Sequence, residues 1–388
     1  MKILLVHSYY HKRGGEDEVF EQEYHLLKTK YNVERLYFKN HIGLKGGIQF
    51  LMSIWNFLAA RKLEKAIRRF KPTVVHMHNL HFSSGPLLIR VAKKYNIPTV
   101  VTLHNYRLLC PSGTLSYNGR VFTKSLRQKF PWTAIRLKVY RNSYFQSFYL
   151  AFITWFHKKI GTWDMVNCYV VLSDAAITLF HECSKSFVQE KMIIKPNFVK
   201  RIEMESSPRN ERFLYIGRLS EEKGIHVLLN AFSRSDFFID IAGDGDLKHE
   251  VEQASARFNN INFLGSLNKA QVLAYMKDCT ALIVPSIWYE PFGLVTVEAF
   301  VSGTAVIANN LGAMSSMIIH GYNGMHYDGS SEDLLQKLGD WLRMPEFQKD
   351  KLREGAMESY KRFYTPETNL EKLMTIYEVV KNNETNRN

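Results

Sequence analysis

Two glutamates eight residues apart are the side chains best placed to do chemistry in this sequence. The segment from Glu290 to Glu298 reads Glu-Pro-Phe-Gly-Leu-Val-Thr-Val-Glu and follows a short apolar stretch that ends in proline. Its spacing predicts a helix whose first N–H groups, at Phe292, Gly293 and Leu294, lack intrahelical partners and attract anions such as phosphate. A carboxylate beside such a terminus is better suited to hydroxyl groups than to the anion. The pattern therefore predicts a site for a phosphate-bearing ligand with sugar or ribose hydroxyls.

Arg218 and Lys223 are the second pair of candidate residues. They lie in the segment Ile-Gly-Arg-Leu-Ser-Glu-Glu-Lys-Gly, which follows a predicted strand ending at Gly217. Loops at the carboxyl ends of parallel strands form the crevice where open α/β sheets bind ligands. A guanidinium fork and an ammonium suit the negative charge of phosphate groups. We therefore expect both cations to bind an anionic ligand.

The composition is that of a globular chain with two domains. A length of 388 residues exceeds what one compact core usually accommodates, and a hydrophobic content of 46% excludes a disordered chain. The four cysteines are widely spaced and form no C-x-x-C pair, which favours a reducing compartment over a disulfide framework. The first apolar run is too short for a signal peptide, and no stretch of about 18 uninterrupted apolar residues occurs. We therefore expect a cytoplasmic protein.

Positive charge is concentrated in one part of the chain. The formal net charge is +14, yet the stretch between Glu64 and Asp164 holds 17 Lys and Arg and no acidic residue. Large apolar side chains alternate with these cations in the tracts 47–69 and 124–159. That mixture is typical of contact with an anionic membrane surface, although apolar faces packed in the core beneath solvated charges are an alternative. No nucleic-acid-binding module accompanies the charge, so we expect no nucleic-acid partner.

The order of predicted elements indicates two consecutive α/β domains. The first half alternates candidate strands with candidate helices, and the second half repeats the alternation after a polar run at 203–212. The predicted strands are 2–8, 32–37, 73–78, 99–104, 167–172, a short strand with a turn at 192–199, and 212–216, 237–242, 261–264, 281–284 and 305–308. The main predicted helices are 17–28, 48–70, 85–95, 174–182 and a terminal amphipathic helix at 365–380.

These segments resemble the retaining glycosyltransferases of family 4, also described as glycosyl transferases group 1. The resemblance rests on the Glu-x7-Glu motif after a proline-ended strand and on the Gly-Arg-x4-Lys-Gly loop, and it covers nearly the whole chain. It implies the GT-B fold, in which two Rossmann-like domains face each other across a cleft and the C-terminal helix crosses back to the first domain. The first domain would then comprise 1–197 with the helix 365–380 and bind the acceptor, whereas 198–364 would bind a nucleotide-sugar.

The resemblance also implies roles for individual residues. Arg218 and Lys223 would stabilise the leaving diphosphate, Glu290 would hold the hydroxyls of the transferred sugar, and Glu298 would hold the ribose. The remaining donor contacts would come from residues matching other family segments, namely Gly217, Phe292, Gly293, Leu294 and Leu267, the last beside the nucleobase. From the first domain, Gly14 and Gly15 would face the donor across the cleft, and His104 would hydrogen-bond a sugar hydroxyl.

The sequence offers two groups that could be mistaken for metal sites. Asp244 and Asp246 fit the D-x-D pattern of a different glycosyltransferase fold, but here they follow a strand and precede a helix that Asp246 would cap. His76, His78 and His81 are close in sequence, but neither a carboxylate nor a cysteine lies beside them, which favours packing roles. We therefore expect no metal and no cofactor.

Two positions depart from the family pattern. A Gly-Gly-x-Pro-Glu segment is common after the second glutamate, whereas this chain has Leu311-Gly-Ala-Met-Ser-Ser, keeping Gly312 but no acidic residue. Lys269 stands where related sequences often carry an acidic residue near the nucleobase. These departures leave the identities of the sugar and the base open.

The sequence therefore predicts a retaining, metal-independent glycosyltransferase. It would move a sugar from a nucleoside-diphosphate donor to a growing glycan or lipid-linked acceptor in cell-surface polysaccharide biosynthesis. It would act as a peripheral protein on the inner face of the cell membrane. A nucleotide-sugar epimerase of the same fold and a non-catalytic donor-binding subunit are the alternatives.

Overall fold

The computed structural model describes residues 1–11, 13–183, 189–201 and 208–385. The chain divides into two units. Unit 1 contains Met1–Gly113, Thr123–Pro196 and Asn369–Asn388, and unit 2 contains Thr114–Phe122 and Asn197–Thr368. Each unit is built around one six-stranded parallel sheet. The predicted α/β class, with two Rossmann-like halves, is confirmed.

The elements before residue 195 all belong to unit 1 except for one hairpin. That hairpin, formed by β5 and β6, belongs to unit 2. In chain order the elements are β1 Lys2–Tyr9, α1 Gly15–Lys28, β2 Asn32–Lys39, α2 Gly43–Met52, α3 Phe57–Phe70, β3 Val74–Asn79, α4 Leu87–Lys94, β4 Thr99–Thr102, β5 Ser116–Tyr117, β6 Arg120–Val121, α5 Trp132–Arg136, α6 Tyr144–Lys159, β7 Cys168–Val171, α7 Asp174–Cys183 and β8 Met192–Ile194.

The later elements form unit 2 and the terminal helix. They are β9 Phe213–Ile216, α8 Ile225–Phe232, β10 Ile239–Ala242, α9 Lys248–Arg257, β11 Ile261–Gly265, α10 Lys269–Asp278, β12 Leu282–Val284, α11 Leu294–Val301, β13 Val306–Asn309, α12 Met314–Met317, β14 Gly324–Tyr327, α13 Ser331–Arg343, α14 Glu346–Phe363 and α15 Pro366–Thr385.

The sheet of unit 1 has the strand order β2-β1-β3-β4-β7-β8. Strands β3, β4 and β7 are buried along their whole lengths, because helices cover both faces of a parallel sheet. The carboxyl ends of β1, β3 and β4 therefore lie along one edge of the sheet. The loops after β1 and β4, which carry the predicted residues Gly14, Gly15 and His104, begin at that edge.

The terminal helix α15 completes the core of unit 1. Its apolar side chains pack with β-strand residues such as Ile3, Leu5 and Val100. Those of the helix are Leu370, Leu373, Ile376, Tyr377 and Val380. Their spacing of three and four residues places them on one face of the helix. The predicted return of the last helix to the first domain is confirmed.

The predicted helix at 48–70 is wrong in its continuity. The structure has two helices there, α2 and α3, separated at Ser53–Asn56. The Asn56 side chain caps α3 by accepting a hydrogen bond from the N–H of Ala59 at 3.0 Å, and its amide donates to the carbonyl of Ser83 at 3.0 Å. A side chain that satisfies a helix N-terminus starts a new helix, and apolar spacing alone did not reveal this.

The sheet of unit 2 has the strand order β11-β10-β9-β12-β13-β14. Alternate residues of its strands enter two separate cores. Leu214, Leu282 and Val306 contribute to one core, whereas Phe213 and Ile283 contribute to the other. This alternation has the two-residue period of strands covered on both faces. Helices α11 and α14 cover the first core, and helices α8 and α13 cover the second.

Within the described part of the chain, none of the helices combines the length and apolar composition that crossing a bilayer requires.

Candidate active site

In unit 2 the loop after β9 is fixed against the end of β12. Gly224 adopts φ +74°, and a Cβ atom there would lie 1.9 Å from the carbonyl oxygen of Pro285, so only glycine fits. The N–H of Ile287 donates to the carbonyl of Glu222 at 3.0 Å. This close approach brings Lys223, which precedes Gly224, to the segment that carries Glu290.

Lys223 and Glu290 form an ion pair. The Lys223 ammonium donates to Oε1 of Glu290, and the same oxygen accepts from the hydroxyl of Ser286 and from Nε1 of Trp288 at 3.3 Å. The Glu290 side chain is 4% exposed and that of Lys223 is 26% exposed. The Lys223 ammonium also lies 5.4 Å from the centre of the Trp288 ring. One carboxylate oxygen therefore receives three donors, while Oε2 of Glu290 accepts no hydrogen bond from the described residues.

Arg218 differs from Lys223 in its surroundings. Its side chain is exposed, and none of the described carboxylates forms an ion pair with it. Its backbone carbonyl accepts a hydrogen bond from the Tyr215 hydroxyl at 2.8 Å. Burial raises the pKa of Tyr215, so this phenol remains a donor. The loop is held through its backbone, and the guanidinium is available to a ligand.

The helix α11 begins where the sequence predicted an anion-binding terminus. Gly293 is its N-cap residue, and no side chain caps it. Phe292 and Leu294 flank the cap and pack partly against the core. A Cβ atom on Gly293 would lie 2.5 Å from the methyl group of Met314. The first N–H groups of the helix therefore donate to no capping side chain, and a larger residue at position 293 would crowd them.

Glu298 lies on the second turn of α11 and is paired with Lys269. The Lys269 ammonium donates to Oε1 of Glu298, whose side chain is 14% exposed. Lys269 opens helix α10, directly after its N-cap Asn268. Leu267 precedes this cap and packs partly against the core. The residue that departs from the family pattern therefore contacts the glutamate expected to bind ribose.

Gly312 is required by the backbone of Glu290. It adopts φ +59°, and a Cβ atom there would lie 2.6 Å from the Glu290 nitrogen. The N–H of Ala313 donates to the carbonyl of Glu290 at 2.9 Å. The segment that lacks the family's acidic residue therefore still supports Glu290 through its backbone.

In unit 1 the glycine loop after β1 is anchored by Asp17. One carboxylate oxygen of Asp17 accepts from the Gly14 N–H at 3.0 Å, and the other lies 2.7 Å from Nε2 of the buried His7. Gly14 is extended, with φ −133°, and no heavy atom lies within 4 Å of the position of a Cβ. The absence of a side chain at Gly14 therefore leaves open space beside the loop. Gly15 is the first residue of α1.

The structure brings this loop next to the one that carries His104. Oε1 of Glu16 accepts a hydrogen bond from the Asn105 amide at 2.8 Å. His104 is 9% exposed, and its Nε2 lies 3.1 Å from Nδ1 of His78. Burial, with smaller contributions from His7 and Lys195, lowers the pKa of His104 to about 3. His104 is therefore neutral at physiological pH and suited to hydrogen bonding without a change of charge.

Contrary to expectation, a carboxylate does lie beside His76 and His78. Glu23 is buried on α1. One of its carboxylate oxygens and one ring nitrogen of each histidine all lie within 4.8 Å of one another. The ammonium of Lys195, which is fully buried, donates to Oε1 of Glu23. The ring of His76 already bonds the Tyr377 hydroxyl and the Thr102 hydroxyl, each at 2.7 Å. A metal would have to displace these bonds and the ammonium, so the residues do not fit one.

The other suspected metal ligands are separate from this cluster. Asp244 and Asp246 are exposed, and neither belongs to the three-residue group found among the described residues. Helix α9 begins at Lys248 with Leu247 as its N-cap, so the expected capping role of Asp246 is wrong. The third histidine, His81, lies on a cavity wall.

Sequence reasoning missed Ser286, Trp288, Glu23 and Lys195. Glu23 could have been recognised, because it shares the buried spacing of Val19, Phe20 and Leu27 on α1. Ser286 follows the proline that ends β12, which is also a visible signal. Nothing in the sequence around Lys195 indicates that it is buried.

Two α/β units, each built on a six-stranded parallel sheet, are the architecture of GT-B glycosyltransferases. Residues 11–200 match the model of Glycosyltransferase Family 4, and residues 199–358 match that of Glycosyl transferases group 1. The chain therefore belongs to the glycosyltransferase family that these two models describe, as its sequence predicted.

Individual relatives and structures agree with the family. The chain is 32% identical over 153 residues to an uncharacterised glycosyltransferase of Methanocaldococcus jannaschii, covering 39% of this chain and 43% of that protein. It is 26% identical over 271 residues to an uncharacterised 42.6 kDa protein in the cps region of Klebsiella pneumoniae, covering 69% and 65%. The chain therefore spans less than two thirds of either relative. The crystal structure of HepE from Anabaena in complex with UDP shares the fold, with a TM-score of 0.67, 18% identity and coverage of 97% and 100%.

Proposed function

We propose that this protein is a retaining glycosyltransferase that moves a sugar from a nucleoside-diphosphate donor to a growing glycan. The observation that carries the proposal is the arrangement in unit 2 of the exposed, unpaired Arg218, the pair Lys223–Glu290 and the uncapped start of α11. Fixed positive charge and backbone N–H groups stabilise a departing diphosphate because they require no reorganisation when the charge develops. HepE, which shares the fold, was solved with UDP and with UDP-glucose.

In this proposal the two basic side chains have unequal roles. Arg218 binds the diphosphate directly. Lys223 is held by Glu290 until the leaving group arrives and then divides its donors between the carboxylate and the phosphate oxygens. Oε2 of Glu290 accepts from the hydroxyls of the transferred sugar. Glu298, oriented by Lys269, binds the ribose, and Leu267 contacts the base.

The residues of unit 1 would act on the sugar and the acceptor. The loop of Gly14 and Gly15, with open space at Gly14, would face the donor's sugar and phosphate, and neutral His104 would hydrogen-bond a sugar hydroxyl. No carboxylate of the described site is placed as a covalent nucleophile, so we propose front-side attack, in which the leaving phosphate accepts the acceptor's proton. Reaction on the face that the leaving group vacates retains the anomeric configuration. The mechanism needs no metal, and Arg218 and Lys223 supply the compensating charge.

Catalysis is tested by incubating the protein with UDP-, GDP- and ADP-sugars and measuring release of the nucleoside diphosphate with and without a glycan acceptor. We expect release from one donor class, an unchanged anomeric configuration in the product, and full activity in the presence of a chelator. Inversion at the anomeric carbon would overturn the retaining mechanism. An epimerised nucleotide-sugar formed from donor alone would favour the epimerase, and absence of all turnover would favour a donor-binding subunit.

We also propose that unit 1 binds the cytoplasmic face of an anionic membrane. Helix α2 buries none of its residues, and Leu44, Ile48 and Leu51 are 83%, 50% and 51% exposed. The ring of Phe50 in α2 packs against the ring of Tyr149 in α6, with 4.9 Å between the ring centres, so α2 and α6 are neighbours. We call the exposed apolar and basic side chains of α2, α3, α5 and α6 the interfacial surface: Leu44, Lys45, Ile48, Leu51, Phe57, Leu58, Arg61, Trp132, Arg136, Tyr144 and Phe145. Apolar burial together with attraction of cations to anionic lipids drives such binding.

Sedimentation with vesicles tests this surface. The wild-type protein should sediment with phosphatidylglycerol-containing vesicles and much less with pure phosphatidylcholine. Leu44→Asp should reduce binding several-fold, whereas Phe347→Asp, which changes a 60% exposed residue of unit 2, should not. Equal binding by Leu44→Asp and the wild type would count against the proposal.

A further inference from the structure

A cavity in unit 1 combines apolar walls with a cation that lacks an ion-pair partner. It holds about 760 Å³ of empty space, part of it open to solvent. It lies at the carboxyl edge of the sheet, with His104 and Asn105 on one wall. Leu108, Leu150, Ile153 and Trp163 make much of the remaining lining apolar. A ligand of this cavity must therefore contain an apolar portion.

Arg107 supplies the polar part of the lining. Its Nε and Nη1 atoms are buried and have no hydrogen-bond partner among the residues that the structure describes, and none of the carboxylates there forms an ion pair with it. The guanidinium lies against Gly113, because a Cβ atom on that glycine would lie 3.1 Å from Nη2 of Arg107. The guanidinium carbon also lies 5.4 Å from the centre of the Tyr140 ring. The Arg107 N–H donates to the Asn105 side chain at 3.0 Å. The residue is thus held in place by its neighbours while two of its donors remain unused.

Buried donors without partners are costly, so an arginine in this state indicates a missing acceptor. His81 adds a second unused group, since its Nε2 is also buried without a partner. Arg141 places a second guanidinium 5.4 Å from the Tyr140 ring. Glu16 interacts electrostatically with Arg107. Its Oε1 bonds Asn105, its Oε2 is buried without a hydrogen-bond partner among the described residues, and burial raises the pKa of its carboxyl, which favours the neutral form. The local field therefore favours an anion.

Two of the helices that carry the interfacial surface also line the cavity. Ser53, at the end of α2, lines it, as do Leu150, Ile153 and Thr154 of α6. The same two helices present Leu51 and Phe145 to solvent. An amphiphile whose tail lies among lipids at these helices could place its polar head in the cavity.

We infer that this cavity binds a phosphorylated lipid, with Arg107 as the principal ligand of the phosphate and His81 beside it. The phosphate offers several acceptor oxygens to the two unused guanidinium donors, and the apolar walls receive the first carbons of the chain. This inference rests on the proposed function, since it identifies the lipid phosphate as the anchor of the acceptor. A free phosphate shares the anion chemistry but would leave the apolar walls without a ligand.

Calorimetric titration of the full-length protein tests the inference with farnesyl phosphate, farnesol and inorganic phosphate. We expect the wild type to bind farnesyl phosphate at least about tenfold more tightly than either of the other probes. Arg107→Met should weaken binding of farnesyl phosphate by about ten- to a hundredfold and leave farnesol binding within about twofold. Arg107→Lys should fall between, because it keeps the charge and loses the fork.

Arg68→Met is the matched control. The guanidinium of Arg68 also lies beside a tyrosine ring, 5.7 Å from the centre of the Tyr95 ring, but Arg68 is exposed and does not line the cavity. It should bind all three probes as the wild type does. Equal affinity of Arg107→Met and the wild type for farnesyl phosphate would overturn the inference. The inference would also be overturned if farnesol bound as tightly as farnesyl phosphate. Inorganic phosphate that bound as tightly as farnesyl phosphate would overturn it too, and would indicate a site for free phosphate.

Titration with UDP, GDP and ADP separates this inference from the proposed function. Nucleotide binding without farnesyl phosphate binding would refute the lipid-phosphate site and leave the glycosyltransferase proposal standing. Farnesyl phosphate binding without any nucleotide binding would support the lipid-phosphate site and refute the glycosyltransferase proposal.

Discussion

The ammonium of Lys223 donates a hydrogen bond to Oε1 of Glu290, a residue 67 positions later in the chain. The sequence predicted that one of these residues binds the diphosphate and that the other binds sugar hydroxyls. In the proposed mechanism their contact couples the positive charge available to the leaving group to the carboxylate available to the sugar. Substitution of either residue is therefore expected to alter both functions.

Glu290→Gln is expected to change the two functions in opposite directions. The amide keeps the shape of the side chain but removes the charge that holds Lys223, so the ammonium becomes more available to phosphate. We expect UDP to bind several-fold more tightly and the turnover number to fall by about 10²–10³. Isothermal titration and steady-state kinetics measure the two effects. Glu221→Gln, on the same loop but exposed, should change neither. Wild-type turnover in Glu290→Gln would remove this carboxylate from the mechanism.

Arg218→Met and Lys223→Met should lower activity alike and differ in stability. Each removes one charge from the diphosphate site, so each should reduce the turnover number by about 10²–10³. Arg218 is exposed and unpaired within the described chain, so its loss should change the free energy of unfolding by less than about 0.5 kcal/mol. Loss of Lys223 leaves the buried Glu290 without its cation and should cost about 1–3 kcal/mol. Chemical denaturation distinguishes them, and equal stabilities would mean that the ion pair has no structural effect.

The low pKa of His104 predicts a loss of stability in acid. Its pKa is about 3 in the folded protein and near 6.5 in the unfolded chain, so between these values only the unfolded state binds the proton. Stability must therefore fall as the pH drops below about 6.5, by about 2 kcal/mol at pH 5 from this group. His104→Gln, which does not titrate, should show a shallower dependence on pH. Buried His76, His78 and His81, whose pKa values are also lowered, account for the remainder.

The buried pair Glu23–Lys195 is expected to be strongly coupled. Both side chains are fully buried, so Glu23→Leu leaves an ammonium without a partner and should destabilise unit 1 by about 3–5 kcal/mol. Lys195→Met should cost a similar amount. The double variant Glu23→Leu/Lys195→Met should recover most of the loss, because it leaves no unpaired charge. Additive losses in this double-mutant cycle would show that the two groups do not interact.

Much of the fold could be predicted from the sequence, because alternating apolar strands and amphipathic helices are local patterns. The terminal helix and every strand of the two sheets except β14 were found in this way. The break between α2 and α3 was missed, since it depends on the Asn56 amide reaching the Ser83 carbonyl, 27 residues away. The helices α5 and α6 were also missed, because the basic and aromatic tract in which they lie was interpreted only as a surface.

By itself the sequence determined the two-unit α/β architecture, the family and the chemical types of the candidate residues. These follow from short motifs and from periodicities of two and 3.6 residues, which any segment carries within itself. Only the tertiary structure decided which charges are already paired: Lys223 with Glu290, Lys269 with Glu298, and Lys195 with Glu23. It also decided that Arg107 is left with unused donors beside an apolar cavity. Such pairings depend on distances of a few ångströms between segments far apart in the chain, and no local pattern records them.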